Sequence, residues 1–288
     1  MKISHIGWIG LGNMGVPMSQ QLIDSGYFLT VFNRTREKEA FLVDKGASVA
    51  VSPAELTRQT EAVILMVSDD EAVREVFTGK EGLLQAGVSG KIFINMSTVS
   101  PSISQEMAAL CDAQGNDYVD APVSGSVKQA ETAQLVIMAG GKESVFQLVK
   151  PLLEKLGKLV LFTGHYGSGN RMKLAVNTLL ALLSGGLAET VAFARKNEIS
   201  VEDLIHVLNN SAMSSPYIKI KGDAILRNDF TAAFALKHIA KDLRLAKDCG
   251  LDTPLGITAH DVFQQAEKTL GEEDIIAVIK QFKGAERI

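Results

Sequence analysis

A lysine and an asparagine one helical turn apart are the residues of this sequence best suited to proton transfer. Lys173 and Asn177 are four positions apart, so on a helix both side chains lie on one face. They follow the glycine-rich segment 164–169, whose glycines allow a tight turn and the close approach of another group. An ammonium at such a place can donate a proton and stabilise negative charge. These residues alone leave open the alternative of a lysine stem on apolar surface with its ammonium in solvent.

A glycine motif near the N-terminus predicts a dinucleotide site. The isoleucine-rich run 3–9 is typical of a buried parallel strand, and 16–25 is expected to be a helix. Between them lie the residues of a G-x-G-x-x-G pattern: Gly10, Leu11, Gly12, Asn13, Met14 and Gly15. Such glycines give a tight turn, room for a pyrophosphate and close packing of helix on strand. Because a second strand is predicted over 27–32, the motif has the β-α-β context that a chance glycine-rich turn lacks.

The residues after that second strand favour NADP over NAD. An NAD-binding chain usually has Asp or Glu there for the ribose 2′-hydroxyl, whereas this chain has Asn33, Arg34 and Thr35. A carboxylate would repel a 2′-phosphate, and a guanidinium offers it planar, charge-assisted hydrogen bonds. The alternative is an ordinary helix N-cap at Asn33 or Thr35 followed by solvated arginines.

Strands and helices alternate through the first half of the chain. Further strands are predicted over 62–67, 92–96, 118–121, 135–139 and 159–162. Helices are expected after Ser68, from Pro101 with Ser100 as N-cap, and over 142–156. This alternation predicts an α/β fold of the Rossmann type, a doubly wound parallel sheet.

Three loops are expected at the carboxyl ends of these strands, where open α/β sheets bind their ligands. They follow Val67, Met96 and Ala121. The third loop contains the residues predicted to hold a substrate carboxylate through backbone N–H and hydroxyl groups, namely Ser124, Gly125 and Ser126. A simple turn made of these residues is the alternative.

The second half of the chain is predicted to be helical. A long apolar helix is expected over about 170–195, followed by helices over 200–210, 215–225, 233–249, 255–270 and 274–283. We therefore expect an NADP-binding domain over 1–164 and an all-α domain over 165–288 for substrate binding and oligomerisation, joined by a long interdomain helix. The segment 174–194 is apolar on more than one face, which predicts a homodimer or homotetramer. Its polar residues argue against a membrane span.

Charge and composition argue against several functions. The 288 residues carry a net charge of −4, which gives no electrostatic footprint for nucleic acid or an anionic membrane. Cys111 and Cys249 lack the spacing of a disulfide or zinc framework, and the sequence shows no cluster of metal-ligating residues. The first residues lack the pattern of a secretory signal. We expect a cytoplasmic protein without a catalytic metal.

Motifs in a fixed order make the chain resemble the β-hydroxyacid dehydrogenase family over nearly its whole length. The family includes 3-hydroxyisobutyrate dehydrogenases, tartronate semialdehyde reductases and glyoxylate/succinic semialdehyde reductases. The motifs are the glycine pattern 10–15 with Met18, Ser97-Thr98-Val99, Asp120-Ala-Pro-Val-Ser124-Gly125, Gly164-x-x-Gly167-x-Gly169-x-x-x-Lys173-x-x-x-Asn177 and Lys241-Asp242-Leu243.

This resemblance implies roles for individual residues. Lys173 would be the catalytic lysine, and Asn177 would orient the substrate. Ser124 and Gly125 would contact the substrate, and Thr98 and Lys241 would contact the cofactor. Ser126 and the segment 234–242 look most like the glyoxylate/succinic semialdehyde reductase branch, from which Gln129 and Asn170-Arg171 depart.

We therefore expect an NADPH-dependent reductase of small semialdehyde or 2-oxo acids such as glyoxylate and succinic semialdehyde, with the hydride from NADPH and the proton from Lys173. A 3-hydroxyisobutyrate or tartronate semialdehyde dehydrogenase is the alternative within the family. A non-catalytic NADP-binding scaffold is the alternative from another class, and the pair formed by Lys173 and Asn177 argues against it. His165 and His238 are interpreted as structural or rim residues.

Overall fold

A computed structural model of the protein describes residues 3–282, and the chain divides into two compact units. The first unit is Met1–Lys173 and the second is Leu174–Ile288. The division falls inside one continuous helix, Ser168–Lys196. The boundary expected from the sequence, between 164 and 165, lies just ahead of this helix.

Within the described part of the first unit, nine strands form one sheet. They are β1 His5–Ile9, β2 Phe28–Phe32, β3 Ser48–Val49, β4 Ala62–Leu65, β5 Ile92–Asn95, β6 Asp117–Asp120, β7 Val123–Ser124, β8 Leu135–Gly141 and β9 Gly157–Gly164. Six of them lie side by side in the order β3-β2-β1-β4-β5-β6, and all neighbouring pairs are parallel. The doubly wound parallel sheet predicted from the sequence is confirmed for these strands.

Helices connect these strands. They are α1 Gly15–Asp24, α2 Ala40–Val43, α3 Pro53–Gln59, α4 Asp70–Thr78, α5 Pro101–Ala113, α6 Val127–Glu131, α7 Glu143–Leu153 and the start of α8 Ser168–Lys196, with short 3-10 helices at Arg36–Glu39 and Leu83–Ala86. The predicted start of α5 is confirmed, because Ser100 Oγ accepts the N–H of Ile103 (3.0 Å) and Pro101 is the first helical residue.

Both faces of the parallel strands are buried. Ile64 and Ile94 belong to an apolar cluster on one face, while their neighbours Val63 and Phe93 belong to a cluster on the other. All four side chains are fully buried. Alternate residues of a strand point to opposite faces, so continuous apolar runs are the pattern of a sheet covered on both sides.

The far end of the sheet differs from the predicted all-parallel arrangement. β8 runs antiparallel to β6 and β7, with Asp120 opposite Gly140 and Ser124 opposite Val136. β6 and β7 pair with β8 in one continuous register, since Met138 N–H of β8 donates to the carbonyl of Pro122, which lies between β6 and β7 (3.1 Å). Only α6 lies between β7 and β8, and so short a connection cannot make the crossover that parallel strands need. The loop predicted after Ala121 therefore contains the two-residue strand β7.

The described part of the second unit is built from helices, which confirms the predicted all-α domain. They are the remainder of α8, then α9 Val201–Asn209, α10 Pro216–Leu226, α11 Leu236–Asp248, α12 Pro254–Leu270 and the 3-10 helix Ile275–Gln281. The last segment is thus a 3-10 helix, and position 283 lies outside the described residues.

A buried aspartate explains why α11 begins later than predicted. Asp274 accepts the backbone N–H groups of Ala233 (3.1 Å) and Phe234 (3.3 Å), which holds the segment before α11 extended. Its other oxygen lies 2.7 Å from the ammonium of buried Lys221. One ion pair therefore anchors α10 and the segments that precede α11 and the 3-10 helix.

The long helix α8 confirms the apolar helix expected over 170–195. Among the described residues it alone has the length and composition that a membrane span would need, a criterion that core helices of soluble proteins also meet. Several polar side chains of α8 are buried, including Asn170, Lys173, Asn177 and Ser184. Buried polar groups of this kind require partners within the protein.

Candidate active site

The glycine motif forms the turn between β1 and α1, and its three glycines have different surroundings. Gly10 has φ +98°, and a Cβ added there would lie 2.1 Å from the carbonyl oxygen of Met66. A Cβ on Gly15 would lie 2.0 Å from the carbonyl oxygen of Gly10. A Cβ on Gly12 would have no atom within 4 Å. The turn therefore needs Gly10 and Gly15 for its own shape, while Gly12 leaves space for a ligand to approach the backbone.

The N-terminus of α1 is suited to bind an anion. Met14 at the N-cap makes no side-chain capping hydrogen bond, and the first turn has no acidic residue. Val16 N–H donates to the carbonyl of Gly12 (3.2 Å) and Pro17 has no N–H, so the N–H groups suited to a phosphate are those of Gly15 and of the turn before it, where the helix dipole also favours an anion. Gly12 and Asn13, just before this helix end, are exposed. This turn fits the pyrophosphate of a dinucleotide.

Asn33 links the glycine motif to the end of β2. Its Oδ1 accepts the N–H of Leu11 (2.9 Å), and its Nδ2 donates to the carbonyl of Thr35 (2.7 Å). The backbone N–H of Asn33 donates to Oε1 of buried Glu39 (2.7 Å). Asn33 thus shapes the turn in which Leu11 lies, a role that the residue type alone did not predict.

The two arginines after β2 have different surroundings. Arg36 donates to Glu39 (3.0 Å) and to the carbonyls of Ala50 and Val51 (2.7 Å each), so its guanidinium is bound within the protein. Arg34 is exposed, as is Thr35. Arg36 is exposed as well, but its guanidinium is engaged by Glu39, Ala50 and Val51, so within 33–36 Arg34 is the guanidinium more available to a ligand.

Val67 and Thr98 lie at the same edge of the sheet as the glycine motif. β1, β4 and β5 are parallel neighbours, so the residues that follow them are close together. Val67 N–H donates to Ser97 Oγ (2.9 Å), and Ser97 N–H donates to Asn95 Oδ1 (3.0 Å). These bonds join the two turns. The predicted cofactor residues of the first unit are thus brought to one edge.

The predicted substrate residues span the end of β7 and the start of α6. Ser124 is the last residue of β7, and Gly125 has φ +143°, where a Cβ would lie 2.7 Å from Leu135 Cδ2. The N–H and the hydroxyl of Ser126 both donate to Gln129 Oε1, at 2.9 and 2.5 Å. A substrate carboxylate would compete with Gln129 for the donors of Ser126. Ser126 therefore shapes the turn and is less available to a ligand than its residue type suggested.

Lys173 and Asn177 are buried one turn apart on α8. Lys173 is 7% exposed and Asn177 is 1% exposed. The burial of Lys173 does not fit a lysine whose ammonium lies in solvent. Asn177 Nδ2 donates to Asp242 Oδ2 (2.5 Å), so the carboxamide is held in one orientation. Lys173 and Asn177, which the spacing predicted to share a helix face, therefore lie one turn apart on α8. The carboxylate of Asp242 binds Asn177.

Lys241 and Asp242 lie on α11 in the second unit. Lys241 Nζ is 3.4 Å from Asp242 Oδ1, so the carboxylate that binds Asn177 also attracts this ammonium. Burial, then the nearby charge of Lys241, lowers the pKa of His238, so this imidazole is neutral at pH 7. The second unit thus holds Asn177, Asp242 and Lys241 in one polar cluster.

The sequence interpretation missed the roles of three polar residues. Asp120 and Asn170 are fully buried and hydrogen-bonded to each other, and Asp242 is 3% exposed. Acidic residues at the end of a predicted strand and inside an apolar helix face were the signals, since buried carboxylates require partners. The partners of the two carboxylates lie 47 or more positions away along the chain.

Comparison with known proteins agrees with this architecture. Residues 5–165 match the family described as the NAD binding domain of 6-phosphogluconate dehydrogenase. Residues 167–282 match the family described as the NAD-binding domain of NADP-dependent 3-hydroxyisobutyrate dehydrogenase. The chain belongs to the β-hydroxyacid dehydrogenase family. It is an NAD(P)-dependent oxidoreductase of the hydroxyacid dehydrogenase type, as the motifs predicted.

Individual relatives cover this β-hydroxyacid dehydrogenase almost completely. Glyoxylate/succinic semialdehyde reductase 1 of Arabidopsis thaliana is 37% identical over 97% of this chain and 98% of the relative. The chloroplastic reductase 2 of the same plant is 34% identical over 97% of this chain and 80% of the relative. The solved structure of Mycobacterium tuberculosis 3-hydroxyisobutyrate dehydrogenase with L-serine is 30% identical, with a TM-score of 0.89 over 98% of this chain and 100% of that chain.

Proposed function

We propose that this β-hydroxyacid dehydrogenase reduces small semialdehyde or 2-oxo acids, glyoxylate and succinic semialdehyde first among them, with NADPH as hydride donor and Lys173 as proton donor. The observation that carries the proposal is the buried Lys173, one turn before an asparagine whose carboxamide is held by Asp242. The relatives named glyoxylate/succinic semialdehyde reductases support the choice of substrates.

Each group of the chain has a defined task in this reaction. When bound, NADPH supplies the hydride that reduces the carbonyl carbon. Lys173 stabilises the negative charge that develops on the carbonyl oxygen and then protonates it from Nζ. Asn177 orients the substrate, and Asp242 fixes the orientation of Asn177. Ser124 and Gly125 bind the substrate carboxylate through N–H and hydroxyl donors.

The preference for NADPH rests on the segment after β2. Arg34 is exposed, whereas Arg36 is bound to Glu39, so one guanidinium remains for a 2′-phosphate. The buried Glu39, which accepts the N–H of Asn33, has its charge balanced by Arg36 at 3.0 Å. The description of the second matching family as NADP-dependent supports the same choice.

A substrate panel with both cofactors tests the proposal. Glyoxylate, succinic semialdehyde, tartronate semialdehyde and 3-hydroxyisobutyrate are each supplied with the reduced or oxidised forms of NADP and NAD, and the absorbance of the reduced nicotinamide is followed. We expect the largest kcat/KM for glyoxylate or succinic semialdehyde with NADPH. Faster oxidation of 3-hydroxyisobutyrate would favour the dehydrogenase alternative. No turnover with any member, together with NADPH binding, would favour the non-catalytic scaffold.

We also propose that the protein associates with copies of itself through α8. Four apolar side chains of this helix are substantially exposed at spacings of four, three and four residues, namely Met172, Val176, Leu179 and Leu183. Residues with this spacing lie on one face of a helix. An apolar stripe of this length on a helix surface is typical of a helix-to-helix interface.

A further inference from the structure

A buried aspartate joins the strand that leads to Ser124 to the helix that carries Lys173. Asp120 is the last residue of β6 and is fully buried. Its Oδ1 accepts the N–H of Gly167 (2.8 Å), and its Oδ2 accepts the N–H of Asn170 (3.0 Å). Gly167 directly precedes α8 and Asn170 lies in its first turn, where helical amides have no partner within the helix. The carboxylate therefore caps α8 from a strand 47 positions earlier in the chain.

The glycines before Lys173 allow this close approach. A Cβ on Gly169 would lie 2.3 Å from the carbonyl oxygen of Met138 and 2.9 Å from Asp120 Oδ2. A Cβ on Gly140 would lie 2.7 Å from Asp120 Oδ1. The glycine-rich segment was expected to allow the close approach of another group. At Gly169 that group is the carboxylate of Asp120 together with the carbonyl of Met138.

The same turn of α8 is tied to the predicted cofactor edge. Asn170 Oδ1 accepts the N–H of Val99 (3.0 Å), next to Thr98, and Asn170 Nδ2 donates to Ser104 Oγ (3.2 Å). Asp120 holds the backbone of Asn170, and Asn170 holds the turn after β5. A displacement at Asp120 would therefore reach both the helix of Lys173 and the turn of Thr98.

We propose that Asp120 is a positioning residue of the reaction, whose carboxylate holds the first turn of α8, and with it Lys173, against β6, the strand that leads to Ser124. The proposal rests on Lys173 being the proton donor. A protonated carboxyl would present a neutral hydroxyl oxygen, a weaker acceptor than a carboxylate oxygen, to one of the two N–H donors, and both charge-assisted hydrogen bonds would be lost. The first turn of α8 should then loosen.

The protonation of Asp120 falls near the physiological range. Burial raises its pKa to about 6, against the opposing effect of the N–H donors of α8. Burial also raises the pKa of Tyr118, the titratable neighbour on the same strand, which therefore stays neutral. Within residues 3–282, the neighbours of Asp120 on other elements include the uncharged Asn95 of β5, Gly140 of β8, and the amides of Gly167, Gly169 and Asn170. The charged side chains on the first turns of α8 are Arg171, which is exposed, and Lys173.

Amide hydrogen exchange tests the proposal without any need for turnover. In the parent, protection of the peptide covering 166–172 should fall as the pH drops through about 6. D120N keeps the shape of the side chain but places an NH2 against an N–H donor, so the same peptide should exchange at least roughly tenfold faster at neutral pH. T163V is the matched control, because it removes a neutral contact to Ser168 of the same turn (2.8 Å) and leaves the carboxylate.

Kinetics then separate positioning from a purely structural role. D120N should lower kcat by roughly 10- to 100-fold and weaken NADPH binding by less, because the turn of Thr98 is only one of several predicted cofactor contacts, whereas a small displacement of a catalytic group is enough to slow the reaction. The fall of kcat below about pH 6 in the parent should be absent in D120N and kept in T163V. Equal exchange in the parent and D120N, or an unchanged acid limb in D120N, overturns the proposal.

If D120N does not fold, hydrogen exchange of the parent protein as a function of pH still tests the proposal. Protection over 166–172 that is constant across pH 6 would contradict the proposal. A parent that reduces no carbonyl compound would contradict the proposed function, while the exchange result would still decide whether Asp120 anchors α8. The two failures are therefore distinguishable.

Discussion

Replacing Lys173 tests the proton donor directly. Loss of a general acid typically lowers a rate by about 10²–10⁴, which corresponds to about 2.7–5.4 kcal/mol of lost transition-state stabilisation. Lys173 is 7% exposed, so its ammonium acts where few water molecules can take over its task. We therefore expect Lys173→Ala to lose at least roughly a hundredfold in kcat. Lys173→Arg should be equally impaired, because a guanidinium keeps the charge but does not release a proton near neutral pH.

The structure also predicts what the Lys173 variants leave intact. The glycine motif, Arg34 and Val67 lie outside α8, and replacing the Lys173 side chain leaves the bond of Asn170 to the turn after β5, so NADPH should bind with nearly unchanged affinity in a fluorescence titration. Arg171→Ala is the matched control: it deletes an exposed positive charge from the same turn of α8 and should keep normal turnover.

Steady-state kinetics with the best aldehyde and NADPH decide the matter. Turnover of Lys173→Ala within a few-fold of the parent would refute the reasoning, since Lys173 would then be a structural side chain. A loss of turnover in both Lys173→Ala and Arg171→Ala would show that the effect is not specific to the buried ammonium.

Three other predictions follow from the remaining contacts. Arg34→Ala should weaken NADPH by about ten- to a hundredfold, roughly 1.5–3 kcal/mol, and spare NADH; equal losses in the kinetic constants of both cofactors would show that Arg34 does not contact the 2′-phosphate. Lys221→Met should lower the free energy of unfolding by about 3–5 kcal/mol, because Asp274 stays buried without its ammonium partner. Urea unfolding of both single variants and the double variant with Asp274→Asn measures the pair, and additive effects would contradict the coupling. Leu179→Lys, at a side chain that is 58% exposed, should yield a 30.9 kDa monomer in sedimentation, whereas a parent that is itself monomeric would contradict association through α8.

Local spacing was enough to predict much of the fold and part of the site. The glycine motif 10–15, the cap at Ser100 and the pair Lys173 and Asn177 are patterns within a few residues, and chain geometry alone places them on turns and helices. The link between Ser126 and Gln129 is also local, since S-x-x-Q is a capping-box pattern, and attention to that spacing would have revealed it. The burial of Lys173 fits its place in an apolar helix segment.

Only the tertiary structure decided which polar groups are bound and which are available. Arg34 and Arg36 are equivalent in the sequence, yet Arg36 is bound to two carbonyls that follow β3, and Arg34 is exposed. The direction of β8 depends on a connection too short to cross the sheet, which strand patterns do not show.

The buried carboxylates of Asp120 and Asp242 show most clearly that hydrogen-bond partners cannot be predicted from local sequence. Asp120 meets the start of α8 from 47 positions away, and Asp242 meets Asn177 from 65 positions away. Periodicity predicts which face of an element is buried, because it is a property of the local backbone. The partner that a buried carboxylate finds depends on how distant segments pack, so the sequence determined the elements and their apolar faces, and only tertiary packing decided these hydrogen bonds.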